Sequence, residues 1–162
     1  MQQPVELQDF AQLMLRAARA VGDNPIDGAL ELKLNQELPA DGDEFRRIFQ
    51  ACREAIAAGW MCQRSAGGIR FGRIIKPAGL LGRFSVDVVE MSDVVGPIHA
   101  HPNGEIDMIM PLDVNAKFDG RGADWMVYPT GSRHAPTVTG GKALILYLLP
   151  DGAIDFNPTP AS

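Results

Sequence analysis

From Trp60 onward the chain is cut into short β-rich runs, and this constrains the fold more than any other feature. The runs span 60–64, 71–76, 84–91, 97–101, 105–111, 125–128, 134–138 and 143–149. Gly67-Gly68, Pro77, Gly79, Asn103-Gly104, Gly120, Gly122 and Gly140-Gly141 separate most of them. Glycine enters backbone conformations that other residues resist, and proline cannot donate to a strand ladder, so this punctuation suits tight turns. About eight closely spaced strands predict a sandwich or barrel. The 17 glycines and 12 prolines also count against a helical bundle. At 162 residues the chain has the length of one domain, long enough to bury a core without staples.

The first third reads differently. Leu7, Phe10, Met14, Ala17 and Val21 recur at helical spacing over 5–21, and Asn24-Pro25 ends that helix. Residues 29–34 (ALELKL) alternate apolar with polar and predict a short strand. A second helix carries Phe45, Ile48, Phe49, Cys52 and Ile56 on one face. Asp41 and Glu44 stand at capping-box spacing before it, and Gly59 stops it. These helices pack on the β body, as a lid or a dimer contact in the sharper reading. The expected division is 1–59 helical segment, 60–150 barrel and 151–162 loosely held tail.

Charge and cysteine usage exclude several classes. Fifteen basic and 20 acidic residues give −5, the wrong sign for a nucleic-acid or anionic-membrane surface. No run reaches the ~18 apolar residues of a membrane span. The start, MQQPVELQDF, shows no basic n-region or apolar h-region, so a cytoplasmic protein is expected. Cys52 and Cys62 lack zinc-finger spacing and read as small buried hydrophobes.

Only three histidines occur: His99, His101 and His134. On a strand, residues two apart share a face, so His99 and His101 can aim at one centre. Glu105 follows across Pro102-Asn103-Gly104, a turn that can return a carboxylate to the same place. His134 arrives in a second glycine–proline turn, YPTGSRHAP. Neutral imidazoles plus one carboxylate suit zinc, iron, manganese, nickel or copper, and such a site with open positions is catalytic rather than structural.

The stretch H-A-H-P-N-G-E (99–105) resembles the first motif of the cupin superfamily, H-x-H-x(3,4)-E. P-T-G-S-R-H (129–134) resembles the second, P-x-G-x(2)-H. The resemblance covers roughly residues 60–150. It implies a mainly β fold, a cupin-type jelly-roll barrel with two N-terminal α-helices. It implies His99, His101, Glu105 and His134 as ligands of a divalent transition metal, with zinc, iron or manganese the leading candidates. Three motif positions depart from the pattern: Asp93 and Leu112 stand where the family has glycine, and Val138 where it has asparagine. These affect turns, not ligands. The whole chain is similar to the bacterial 4-hydroxylaminobenzoate lyase family, through its leading helices, HPNGEIDMIMP, WMVYPTGSRHAPTVTGG and ALILYLLPDGAIDF. That resemblance implies conversion of 4-hydroxylaminobenzoate to 3,4-dihydroxybenzoate with release of ammonia, in nitroaromatic breakdown. Rival readings are another metal cupin enzyme, a dioxygenase or isomerase, and a non-enzymatic ligand-binding cupin.

Strand alternation extends the expected pocket. Asp107 and Ile109 share the side of Glu105, so Asp107 fits a general acid or base, or a partner orienting a ligand imidazole. Phe71, Arg73 and Ile75 share one face of their run. Arg73 among apolar neighbours calls for a partner, either an aromatic carboxylate substrate or one of the protein's own acids. Arg133 is a second anion candidate. Tyr128 and Tyr147 can donate hydrogen bonds, and Trp60 or Phe84 can stack on a ring, each against the alternative of core packing. The opposite stripe, Ile106-Met108-Met110, offers a homodimer or higher oligomer contact together with the helices.

Overall fold

Helix α1, Leu7–Val21, turns its apolar stripe inward through Phe10, Met14, Ala17 and Val21, all fully buried. Gly22 closes it with its N–H on Ala18 O, and the Asn24 amide donates to Val21 O at 2.8 Å. The computed structural model describes residues 6–158. The first five residues, on which the leader expectation partly rests, and the tail beyond 158 lie outside that span.

Three helices form where two were expected. Residues 29–34 belong to α2, Gly28–Glu37, not to a strand. Leucines at 30, 32 and 34 satisfy an alternating pattern, but Leu30 and Leu34 also stand one helical turn apart. Both are buried, whereas Leu32 is 61% exposed. The Asp27 carboxylate accepts from Leu30 N at 3.1 Å and fixes the helix start. The capping box at Asp41 does not form either: α3, Asp43–Ala58, starts from Gly42 without a side-chain cap. Gly42 N–H is instead committed to Pro39 O. Gly59 ends α3 in the left-handed region, as its sequence position predicts.

The strands are β1 (Arg64–Ala66), β2 (Ile69–Ile75), β3 (Phe84–Val95), β4 (His99–His101), β5 (Glu105–Pro111), β6 (Lys117–Phe118), β7 (Asp124–Tyr128), β8 (Ser132–His134) and β9 (Thr137–Pro150). Trp60–Cys62 forms a bend rather than a strand, and the run 134–138 divides between β8 and β9. All pairings are antiparallel. The large sheet runs β1-β2-β3-β9-β5-β7, with β6 also on β9, and β4-β8 form a separate ribbon. The architecture is thus mainly β with three helices, as the cupin-type expectation has it apart from the helix count.

Alternation gives the large sheet two apolar faces. Val86, Val88, Leu144, Leu146, Leu148, Ile106, Met108, Met110 and Trp125 meet the helices in one core. The stripe Ile106-Met108-Met110 is therefore fully buried under this chain's own helices and offers no dimer contact. The other face carries Val89, Met91, Ile109, Ile145 and Tyr147 in a second core, toward the ribbon. A register shift between Arg73 and Ile75 sends Ile75 into the helix-side core, away from Phe71 and Arg73. The shared face expected for these three ends at that bulge.

Helix α2 covers the outer margin of β7. The Asn35 amide donates to Trp125 O at 2.9 Å and accepts from Trp125 N at 2.8 Å, as a neighbouring strand would. Glu31 accepts from Val127 N at 2.9 Å. The residues after Pro150 are not loose, at least through 158. Asp155 exchanges two backbone hydrogen bonds with Ala100, at 2.7 and 3.0 Å.

Candidate metal centre and adjoining cavity

Ribbon β4-β8 places His99 directly opposite His134, and His101 opposite Ser132. Alternation then gives these four side chains one face of the ribbon, with Ala100 and Arg133 on the other. The turn after His101 delivers Glu105 at the start of β5. Gly104 makes that turn possible at φ +85, where a Cβ would stand 2.4 Å from Ile26 Cγ2. Gly131 N–H donates to His101 O at 2.8 Å and locks the two motif turns together. Asp93, one of the departures noted above, sits at φ +43, the conformation a glycine there would supply. Its carboxylate accepts from Gly140 N and Gly141 N, which holds the strained turn.

His99, His101, Glu105 and His134 converge so that one ligand atom from each lies within 4.8 Å of the others. His99 Nε2 is 3.3 Å from Glu105 Oε1, while His101 Nε2 and His134 Nε2 stand 3.2 and 3.4 Å from Oε2. The other ring nitrogens are turned outward to the protein. Ser132 Oγ donates to Pro129 O at 2.6 Å, so it accepts from His101 Nδ1–H at 2.9 Å. His134 Nδ1–H donates to Asp119 Oδ2 at 2.6 Å, and His99 Nδ1 lies 3.4 Å from Pro97 O. Each Nε2 thus faces the Glu105 carboxylate. His99 and His134 Nε2 are 3.2 Å apart, and His101 Nε2 and both Glu105 oxygens lack hydrogen-bond partners. Buried imidazole nitrogens and a carboxylate aimed at one point are the donor set of a cation site, so this group can bind a metal.

The surrounding charges fit that reading. Burial raises the Glu105 carboxyl, but the three imidazoles against it outweigh burial and hold it well below the usual range. Burial lowers His134, but Asp119 and Glu105 outweigh it, and without a cation its imidazole is held up at about 9. Burial also opposes ionisation of Asp119, whose bonds from His134, the Tyr128 hydroxyl and Thr137 N keep it below its ordinary value. Asp107 is fully buried on the Glu105 side of β5. Burial first, then the Glu105 charge, pushes its carboxyl well above the usual range. Neither Asp107 oxygen has a donor among the described residues.

A cavity of about 730 Å3 adjoins the centre at His99. Its apolar wall includes Ile69, Phe71, Val89, Met91 and Tyr147, and its charged lining is Arg64, Arg73, Lys76 and Asp87. A continuous cross-strand row, Arg73–Asp87–Tyr147–Asp107–Met126, links cavity to centre. Arg73 is paired with the protein's own acid: Nε and Nη2 donate to Asp87 at 2.9 and 3.1 Å, and Nη2 also to Gly152 O. Trp60 lines the same cavity, edge-on to Phe10. Phe84 instead lies under the Arg83 guanidinium, 4.5 Å from ring centre to Cζ.

Two sequence expectations change here. Arg133 is exposed on the back of the ribbon, because it alternates with Ser132 and His134, and it does not reach the cavity. Tyr128 lies against the His134 ring but gives its hydroxyl to Asp119, so it orients a ligand rather than facing the cavity. Cys52 and Cys62 are buried free thiols, and burial lifts Cys62 to about 12. Sequence reasoning missed Asp119, Ser132 and Asp87. Ser132 was recoverable as the same-face neighbour of His134, and Asp87 as the lone acid in the inward positions of SVDVVE. Asp119 carries no local signal.

The family model described as PnbB: 4-hydroxylaminobenzoate lyase matches residues 12–156. A 4-hydroxylaminobenzoate lyase of Nocardioides sp. (strain LMS-CY) is 31% identical over 140 residues, 81% of this chain and 83% of that one. One of Pseudomonas putida is 28% identical over 154 residues, 85% and 88% of the two chains. Among solved structures, DMSP lyase DddQ from Ruegeria pomeroyi DSS-3 covers 96% of this chain and 79% of its own. Its TM-score is 0.49 at 18% identity. Oxalate oxidase in complex with the substrate analogue glycolate covers 57% of each chain, with a TM-score of 0.43 at 20% identity.

Proposed function

The chain belongs to the 4-hydroxylaminobenzoate lyase family, and from that premise we propose that it converts 4-hydroxylaminobenzoate to 3,4-dihydroxybenzoate and ammonia. The observation that carries this reading is the convergence of three imidazole Nε2 atoms and the Glu105 carboxylate beside a cavity suited to an aromatic anion. The cavity wall is mostly apolar, and its charged lining holds three cations against one acid in a chain of net charge −5. An aromatic ring fits the first feature and a carboxylate the second. Overall, one water is added and one ammonia lost, so no external oxidant or reductant is required.

His99, His101, Glu105 and His134 would hold zinc, iron or manganese, a donor set all three accept. When bound, such an ion supplies Lewis acidity toward an oxygen and lowers the pKa of water. The protein's own residues do the rest. Arg73 keeps Nη1 without a partner among the described residues, and that edge takes the substrate carboxylate. Tyr147 and Trp60 flank the ring. Asp107 keeps a proton beside Glu105 and exchanges it with the reacting nitrogen or water. Ser132 and Asp119 fix the ligand imidazoles, and Tyr128 fixes Asp119.

The test is metal analysis of the purified protein with parallel assays of ammonia release and oxygen uptake. Ammonia without oxygen uptake is expected, and His101→Ala should lose both metal and turnover. Turnover that persists in metal-free protein would reject the metal role, and stoichiometric oxygen uptake would make the protein a dioxygenase instead.

A further inference from the structure

We infer that the C-terminal strap, residues 151–157, is a working wall of the cavity, and that Phe156 sets its preference for a flat aromatic ring. The inference deepens the proposed function and rests on its aromatic carboxylate substrate. After β9 the chain folds back rather than leaving the body: Gly152 N donates to Leu149 O at 3.1 Å and Ala153 N to Pro150 O at 3.2 Å. Three further ties hold it. Asp151 N donates to Arg83 O at 2.7 Å, Gly152 O accepts from Arg73 Nη2 at 3.1 Å, and Asp155 pairs with Ala100 through both backbone groups. Ala100 lies between two of the converging imidazoles, so the last tie fixes residue 156 relative to the candidate metal centre.

Ile154 and Phe156 both line the cavity. The Phe156 ring stands 5.6 Å from that of His99, tilted by 58°, yet it is 55% exposed. The other aromatic side chains of the cavity, Trp60, Phe71 and Tyr147, are buried or half-buried by the protein itself. Phe156 is therefore the most exposed of the cavity's aromatic side chains and stands against His99, and a planar ring entering beside His99 would cover it. The strap also holds Arg73, the group that would take the carboxylate end of the substrate. A Cβ at Gly152 would come 2.9 Å from Arg73 Nη1 and 3.0 Å from Pro77, at a φ of +66. Gly152 thus leaves the space in which the guanidinium lies.

The test separates ring recognition from turnover. Benzoate and cyclohexanecarboxylate carry the same charge but differ in planarity, and their affinities are measured by calorimetry on the metal-loaded protein. Wild type should prefer benzoate. Phe156→Ala should bind benzoate about tenfold more weakly and lose the preference, with metal content unchanged. Phe156→Tyr should restore it, and Phe156→Leu should not. An unchanged benzoate preference in Phe156→Ala overturns the inference while leaving the lyase reading intact. Failure of wild type to bind either carboxylate removes the substrate reading and this inference with it.

Discussion

His134 and Asp119 are joined by a 2.6 Å hydrogen bond between an imidazole Nδ1–H and a carboxylate that belongs to neither histidine motif. The same carboxylate accepts from the Tyr128 hydroxyl and from Thr137 N, so three groups fix its position. Such partners fix the tautomer of a ligand histidine and raise its basicity. Asp119→Asn should therefore weaken metal binding roughly 10- to 100-fold while leaving the fold in place. Chelator competition against wild type measures this, with circular dichroism as the control. A change below about threefold would show that the bond is dispensable.

The same pair sets a pH dependence. In the metal-free protein the His134 imidazole is held up at about 9. A raised histidine pKa stabilises the fold fully below its unfolded value of about 6.5, and that contribution is lost as pH rises through about 9. An incoming cation must displace this proton, so apparent metal affinity climbs with pH and levels off near 9. Calorimetric titrations in buffers of different ionisation enthalpy should show about one proton released per ion near neutrality. Release that does not diminish toward the upper end of this range would place the proton elsewhere.

Arg73 engages Asp87 through Nε and Nη2, a geometry that lysine cannot reproduce. Arg73→Lys should raise KM for 4-hydroxylaminobenzoate about tenfold or more. Phenylhydroxylamine, which lacks the carboxylate, should be turned over by the variant and wild type with similar KM. Equal losses on both substrates would mean that Arg73 supports the wall without touching the carboxylate.

Trp125 ties the helices to the sheet without approaching the metal ligands. Its ring is fully buried, edge-on to Phe45 at 6.1 Å, and its Nε1–H donates to Leu38 O at 2.9 Å. Trp125→Ala should cost about 3–5 kcal/mol through cavity formation and a stranded carbonyl. Urea unfolding measures it. Trp125→Phe, which keeps most of the ring, should cost markedly less.

The ligand quartet was legible because histidine is scarce in this chain and strand parity dictates where two of them point. Asp107 was legible for the same reason, two residues beyond Glu105. Parity failed at Ile75, because a bulge resets the alternation and nothing in RFGRIIK marks which residue is extra. It failed again at Leu30-Leu32-Leu34, where strand and helix both fit. Two distant facts decide for the helix, the Asp27 cap and the demand of β7 for polar partners. Asp119 was illegible because its role arises from a turn folded against His134, 15 residues away. The strap was illegible because a chain terminus is loose by default unless something ties it down. Its backbone pairing with Ala100 depends on a register that only the closed structure defines.

The cover that α2 lays over β7 makes growth of the large sheet one-sided. Asn35 and Glu31 occupy the polar groups on which a further strand would dock, while β1 at the far margin is three exposed residues long. Two copies meeting through β1 about a twofold axis would cover that margin in both at once. Strand addition along the β1-to-β7 path then has no further step among the described residues, so an assembly built through β1 closes on itself as a pair.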